Sequence, residues 1–171
     1  WQQFSESMPY PKAKDPELLA ARIRSNQTVG AKTLPYMALA AVSELAPEFQ
    51  KYGESWLRQP RWQLADEGIP HSIVSPGSGW GDFLPWAVQK LIDETGVDGL
   101  YFDYGFVYAD TNELAGSGYT DRDGVLRPTW AIFATREMAR RIYTIMKEHD
   151  PESIIMTHMS NNMMIPVLSL S

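Results

Sequence analysis

The chain has 171 residues, of which 44% are hydrophobic and 21% are charged, so it is long enough to bury a core and form a single domain. Its formal net charge of −6 disfavours nucleic acid and anionic membrane surfaces as partners, because both bind through clusters of basic residues. The chain has no cysteine, which excludes disulfides and thiolate metal sites, and no apolar run approaches the roughly 20 residues that a membrane span requires.

The first part of the chain predicts a helix and a strand followed by an irregular excursion. Asp15 can cap a helix that continues to about residue 25, because a proline and a glutamate occupy the first turn. The apolar residues 33–39 predict a buried strand. In residues 44–70 the apolar side chains do not recur at a regular spacing, so we expect an irregular excursion with a short helix at 47–52. A short strand is expected after it, at 71–75.

The middle of the chain predicts an αβ unit. Asp82 is the expected N-cap of a helix whose apolar residues recur at helical spacing, and Gly96 is its natural C-cap. The buried strand 99–103 follows within a few residues.

The last part of the chain predicts a second excursion and a second αβ unit. Residues 119–126 predict a hairpin that turns at Asp123-Gly124. A helix is expected over residues 129–149, because apolar residues recur at helical spacing and Pro151 stops it. Residues 153–158 and 165–170 are predicted to be strands.

Alternating helices and apolar strands predict an α/β fold with a parallel sheet. The long excursions follow strands rather than helices, which is typical of a (β/α)8 TIM barrel because its strand-to-helix loops build the active site. A complete barrel needs roughly 250 residues, so we expect a partial barrel of about four parallel strands. An open doubly wound sheet is the alternative, although no Gly-x-Gly-x-x-Gly turn follows a strand.

Both ends of the chain look cut. It starts at Trp1 without a signal-like segment, and its last residues look like a strand just completed. We therefore expect residues 1–171 to be part of a single TIM-barrel domain that is truncated at both ends.

The carboxylate of Asp103 is the first candidate for chemistry, because it ends the predicted strand 99–103. Strand alternation places Tyr101 and Asp103 on one face and Leu100 and Phe102 on the other. A carboxylate at that position could act as a nucleophile, a general base or a charge that stabilises a cation. The structural alternative is that Asp103 caps the next loop or pairs with a nearby arginine.

The sequence Gly-Val-Asp-Gly-Leu-Tyr-Phe-Asp at residues 96–103 closely resembles a strand of glycoside hydrolase TIM barrels. In the α-amylase and α-galactosidase groups, the aspartate that ends the fourth strand is the nucleophile. Residues 118–129, 133–137 and 158–160 resemble a poorly characterised bacterial glycoside-hydrolase-like family, distantly akin to glycoside hydrolase family 123. The resemblance covers most of the chain from about Leu34.

The resemblance implies that the predicted strands are the third to sixth of the barrel and that Asp103 is the nucleophile. It also implies an acid/base carboxylate beyond Ser171, and a secreted or periplasmic location would fit it. Family 123 enzymes use an adjacent Asp-Glu pair and substrate assistance, whereas Asp103 is followed by Tyr104. A substrate-assisted mechanism therefore has little support.

Six further side chains are candidate sugar contacts. Trp80 follows a Pro/Gly-rich turn and could stack on a sugar ring, or it could pack against the start of the next helix as a hydrophobic staple. Asp82 could contact the sugar beside it, or it could only cap that helix. His158 could bind a sugar hydroxyl or be a satisfied buried histidine. The remaining candidates are Tyr36, Tyr101 and Tyr104. Tyr36 and Tyr104 could instead orient a carboxylate, and core packing is the commoner fate of tyrosines in strands.

These observations predict a glycosidase that acts on a carbohydrate, with no cofactor and with the remainder of its own barrel as a partner. A non-catalytic carbohydrate-binding barrel is the second hypothesis. The third is a metal-dependent hydrolase that uses Asp103 and His158, although no His-x-His or His-Glu-x-x-His motif supports it.

Overall fold

The computed structural model describes residues 11–66, 69–105, 107–158 and 163–171. The helices are α1 (Pro16–Gln27), α2 (Pro47–Trp56), α3 (Trp80–Thr95), α4 (Ile132–His149) and the single turn α5 (Ile165–Leu168). The strands are β1 (Tyr36–Ala38), β2 (Ala41–Ser43), β3 (Gln63–Asp66), β4 (Ile69–Ile73), β5 (Gly99–Asp103), β6 (Ala109–Asp110), β7 (Tyr119–Thr120), β8 (Leu126–Arg127), β9 (Thr129–Trp130) and β10 (Ile154–Thr157).

A three-stranded parallel sheet in the order β1-β5-β10 is the centre of the fold. Helix α3 lies in the chain between β1 and β5, and α4 lies between β5 and β10, so each parallel pair is joined through a helical crossover. The α/β class and the parallel sheet are therefore confirmed, with three parallel strands in the described part of the chain.

The expected fourth parallel strand at residues 165–170 is wrong, because these residues begin with the helical turn α5. Pro166 occupies its first turn, where a proline's missing N–H and fixed φ favour a helix start. Apolar content alone did not distinguish a short strand from a helical turn.

Local capping signals explain where the helices begin and end. The Asp15 carboxylate accepts a hydrogen bond from the Leu18 N–H at 2.9 Å and starts α1 as predicted. Gly96 ends α3 with φ +67°, which a glycine adopts without steric cost. Helix α3 begins at Trp80, however, so Gly79 is the N-cap and Asp82 lies within the first turn.

The two excursions leave the sheet after β1 and after β5, as predicted for strand-to-helix loops. The first contains α2 and an antiparallel sheet in the order β2-β4-β3, where the sequence predicted mainly irregular structure. The second contains the predicted hairpin, β7-β8, whose turn is closed by the Gly124 N–H donating to the Asp121 carbonyl at 3.0 Å. Strand β9 pairs with β6, which is why α4 begins at Ile132 and not at residue 129.

The core lies between one face of the parallel sheet and the helices α3 and α4. Leu100 and Phe102 are 0% and 2% exposed and pack in the same cluster as Leu84 of α3 and Met138 of α4. Tyr101 and Asp103 are only partly buried. The predicted strand alternation is confirmed, and it leaves the Asp103 side of the sheet away from the helices. In the described part of the chain, no helix has the length and apolar character needed to cross a membrane.

Candidate active site at the C-terminal end of the parallel sheet

Three groups converge on the Asp103 carboxylate at the C-terminal end of β5. The Tyr36 hydroxyl donates a hydrogen bond to Asp103 Oδ2 at 2.6 Å. The Tyr104 backbone N–H donates to Asp103 Oδ1 at 2.7 Å, and His158 Nδ1 lies 3.2 Å from the same oxygen. Both carboxylate oxygens therefore accept a hydrogen bond from the described residues, which holds the group in one orientation.

Parallel pairing brings these groups together from distant parts of the sequence. Tyr36 of β1 lies opposite Tyr101 of β5, and their rings stack with centroids 5.6 Å apart. His158 directly follows β10, and its backbone N–H donates to the Phe102 carbonyl at 2.7 Å. The carboxyl ends of three parallel strands thus meet at one edge, as the barrel prediction required.

The chain turns sharply after Asp103. Tyr104 has φ +54°, which is uncommon for a residue with a side chain, and in this conformation its N–H folds back onto the Asp103 carboxylate. A Cβ at Gly105 would lie 2.3 Å from Thr157 Cγ2, so only glycine fits where β5 and β10 end side by side. The strained turn and the close approach both serve to place Asp103 and His158 together.

The cluster is accessible to a dissolved molecule. The Asp103 side chain is 25% exposed and the His158 side chain 46% exposed. Burial raises the pKa of Tyr101, and the negative charge of Asp103 raises that pKa further. The Tyr101 phenol consequently stays neutral at physiological pH and can act only as a neutral hydrogen-bonding group.

Two candidates predicted from sequence lie elsewhere. Trp80 is 0% exposed, and its indole N–H donates to the Leu39 carbonyl at 2.9 Å, so the expectation that it stacks on a sugar is wrong. It is a core residue packed against Trp56 and Phe83. Asp82 is exposed and forms an ion pair with Arg141 of α4 at 2.6 Å, and none of its described contacts reaches the Asp103 cluster.

Sequence reasoning did not identify two residues beside the site, Tyr108 and Asp110. Tyr108 packs with Tyr104 against the β-strand residues Ala38 and Ile73, and burial raises its pKa, as do Tyr104 and Asp103. Asp110 is 2% exposed and accepts hydrogen bonds from two backbone N–H groups through Oδ1. One of the two N–H groups that bind Asp110 belongs to Gln59, 51 positions earlier in the chain, a pairing that no short-range pattern could have identified.

The described residues offer little support for a metal site. There, no group of three or more His, Asp or Glu side chains is arranged as a metal site would require. The two ligands named for the metal-dependent alternative, Asp103 and His158, contact each other directly.

No protein-family model matches this chain, and no curated protein matches it. Several solved structures do match it in fold. An α-galactosidase from Thermus thermophilus in complex with stachyose aligns with a TM-score of 0.52 and 16% identity over 81% of this chain. A cycloisomaltooligosaccharide glucanotransferase from Paenibacillus sp. aligns with a TM-score of 0.57 and 13% identity over 86% of this chain. Ega3 from Aspergillus fumigatus, in complex with galactosamine, aligns with a TM-score of 0.52 and 14% identity over 80%.

The described residues share their fold with part of each of these structures. At these identities the likeness concerns the fold, and a particular relationship to glycoside hydrolase family 123 is not among the matches. The chain spans 27%, 21% and 46% of the lengths of those three structures.

Proposed function

We propose that this chain belongs to a glycosidase that cleaves an O-glycosidic bond of a carbohydrate, with Asp103 at the reacting centre. The observation that carries the proposal is the Asp103 carboxylate, which ends a parallel strand and is partly exposed. It accepts hydrogen bonds from the Tyr36 hydroxyl and the Tyr104 N–H, and His158 Nδ1 lies 3.2 Å away. The barrel-type fold supports it, since catalytic residues of such barrels lie at the C-terminal ends of strands. The proteins with this fold include α-galactosidases and an α-amylase.

In this proposal, Asp103 acts on the anomeric carbon. An ionised carboxylate there either attacks that carbon and forms a glycosyl-enzyme ester, or stabilises the positive charge of an oxocarbenium-like transition state. Hydrogen bonds to both oxygens fix the orientation of the group before the substrate binds, so little reorganisation is needed during the reaction.

A glycosidase of this kind needs a second carboxyl group as acid or base. Among the described residues, no other carboxylate contacts Asp103. We place the acid/base residue on a barrel strand outside residues 1–171. Residues 165–168 form a helical turn, so they are not a sixth strand that this residue could follow.

We also propose that further barrel strands complete the parallel sheet. Strands β1 and β10 each pair only with β5 in the described sheet, so both outer edges are available for pairing. Ile154 and Met156 of β10 are 41% and 51% exposed, although apolar side chains in a closed barrel are covered. The remainder of the barrel would cover them.

The experiment is Asp103→Asn, which removes the charge while keeping the size of the side chain. Wild type and variant are assayed in the full-length protein, because residues 1–171 alone are expected to be inactive. The substrates are a panel of nitrophenyl α- and β-glycosides and oligosaccharides. We expect the variant to lose about 10³-fold or more in kcat/KM on every substrate that the wild type cleaves. Asp93→Asn, an exposed change of the same kind on α3, is the matched control and should retain full activity.

Other outcomes would favour the other hypotheses. Full hydrolysis by Asp103→Asn would overturn the assignment of Asp103. Sugar binding by the wild type without any turnover would favour the carbohydrate-binding barrel. Activity that chelators abolish and divalent cations restore would favour the metal-dependent hydrolase.

A further inference from the structure

The hydrogen bonds that Asp103 accepts from the described residues leave part of its Oδ2 atom open. A carboxylate offers about four lone-pair sites, two on each oxygen. On Oδ1, the Tyr104 N–H takes one, and His158 Nδ1 lies 3.2 Å from the same oxygen. On Oδ2, the Tyr36 hydroxyl takes one. No other described residue donates a hydrogen bond to Oδ2, so its second lone pair can face a substrate.

The sheet fixes Tyr36 in place relative to Asp103. The Tyr101 N–H donates to the carbonyl of Pro35 at 2.9 Å, and the Leu39 N–H donates to the carbonyl of Asp103 at 2.8 Å. These two bonds lock β1 against β5 on either side of Tyr36. The stacked ring of Tyr101 then sets the direction in which the Tyr36 hydroxyl points.

We infer that Tyr36 is a positioning residue for Asp103 and not a sugar ligand, and that it directs the open lone pair of Oδ2 toward the substrate. The inference rests on the proposed glycosidase function. The 2.6 Å contact has the length of a charge-assisted O–H···O⁻ hydrogen bond, so this hydroxyl proton is committed to Asp103. Without it, Asp103 could rotate and present either lone pair of Oδ2.

The kinetic test is Tyr36→Phe, which keeps the ring and its stacking but removes the hydroxyl. A positioning role predicts that kcat falls by about 10- to 100-fold, because misplacement of a reacting group costs rate. KM should change less than about threefold, since no contact to the substrate is lost. Tyr119→Phe removes the same oxygen from an exposed hairpin tyrosine and should change neither constant.

A rise in KM at unchanged kcat in Tyr36→Phe would overturn the inference and make Tyr36 a sugar ligand. Unchanged values of both constants would overturn it as well, because the hydroxyl would then have no role in the reaction.

A second measurement does not depend on turnover. The proton NMR spectrum of the full-length wild-type protein should contain a slowly exchanging, downfield hydroxyl resonance that disappears in Tyr36→Phe and moves in Asp103→Asn. Absence of this resonance from the folded wild type would overturn the positioning role. If the resonance is present while the wild type cleaves no glycoside, the link between Tyr36 and Asp103 is supported and only the glycosidase proposal is overturned.

Discussion

The replacement of Trp80 by phenylalanine tests whether this tryptophan holds the core or serves a sugar site. Its indole N–H is bonded to the Leu39 carbonyl at 2.9 Å in a fully buried position. Phenylalanine leaves that carbonyl without this donor, which costs about 1–3 kcal/mol. It also removes about three buried heavy atoms, which costs roughly 2 kcal/mol more. We therefore expect Trp80→Phe to lower the free energy of unfolding by about 3–5 kcal/mol.

Trp86 provides a matched control on the same helix. Its side chain is 49% exposed, and none of the hydrogen bonds to the described residues involves its indole nitrogen. Trp86→Phe should therefore change the free energy of unfolding by less than about 1 kcal/mol. Urea denaturation followed by far-UV circular dichroism measures both variants without relying on tryptophan fluorescence, and an unchanged m-value shows that only stability differs.

The result that refutes this reasoning is equal destabilisation by the two variants, or a loss below about 1 kcal/mol for Trp80→Phe. A variant that stays stable but loses affinity for oligosaccharides would restore the stacking role that the buried position of Trp80 contradicts.

Two further predictions concern the acid stability of the first excursion and the open edges of the sheet. Burial alone would raise the pKa of Glu44, but hydrogen bonds from Ser72, Arg61 and Gln63 outweigh it and hold the pKa below its ordinary 4.5. The stability that the ionised Glu44 contributes is present above pH 4.5 and is lost as the pH falls through the lowered pKa. Glu44→Gln should therefore flatten the dependence of the free energy of unfolding on pH below 4.5. The exposed control Glu54→Gln should leave that dependence unchanged. Because β1 and β10 leave both sheet edges unpaired in the described fold, light scattering of the isolated 171-residue chain should show association, whereas a monomer that unfolds cooperatively would contradict the proposed completion by further strands.

Much of the central fold could be predicted because its signals are local. The cap at Asp15, the left-handed end of α3 at Gly96 and the buried strand 99–103 each depend on a few neighbouring residues, and all are confirmed. Helical spacing also predicted the buried stripe of α4, where Met138, Ile142 and Met146 are buried.

The errors arose where short elements depend on distant partners. The strands β2 and β3 have three and four residues and carry no clear alternation, so only their pairing makes them strands. A strand was predicted at 71–75, and β4 lies two residues earlier, at Ile69–Ile73. Trp80 follows a Pro/Gly-rich turn and looked like a loop residue. Helix α3 begins at that tryptophan, and the carbonyl that accepts its N–H lies 41 positions earlier in the chain.

The sequence by itself determined which strand ends in the candidate carboxylate, because alternation within residues 99–103 separates the helix-facing side chains from Tyr101 and Asp103. Only the tertiary structure decided which groups surround that carboxylate. Tyr36 is 67 positions before Asp103, and His158 follows a strand on its other side. Their meeting depends on the register of two parallel strand pairs, which packing against α3 and α4 sets across the whole domain and which no local pattern encodes.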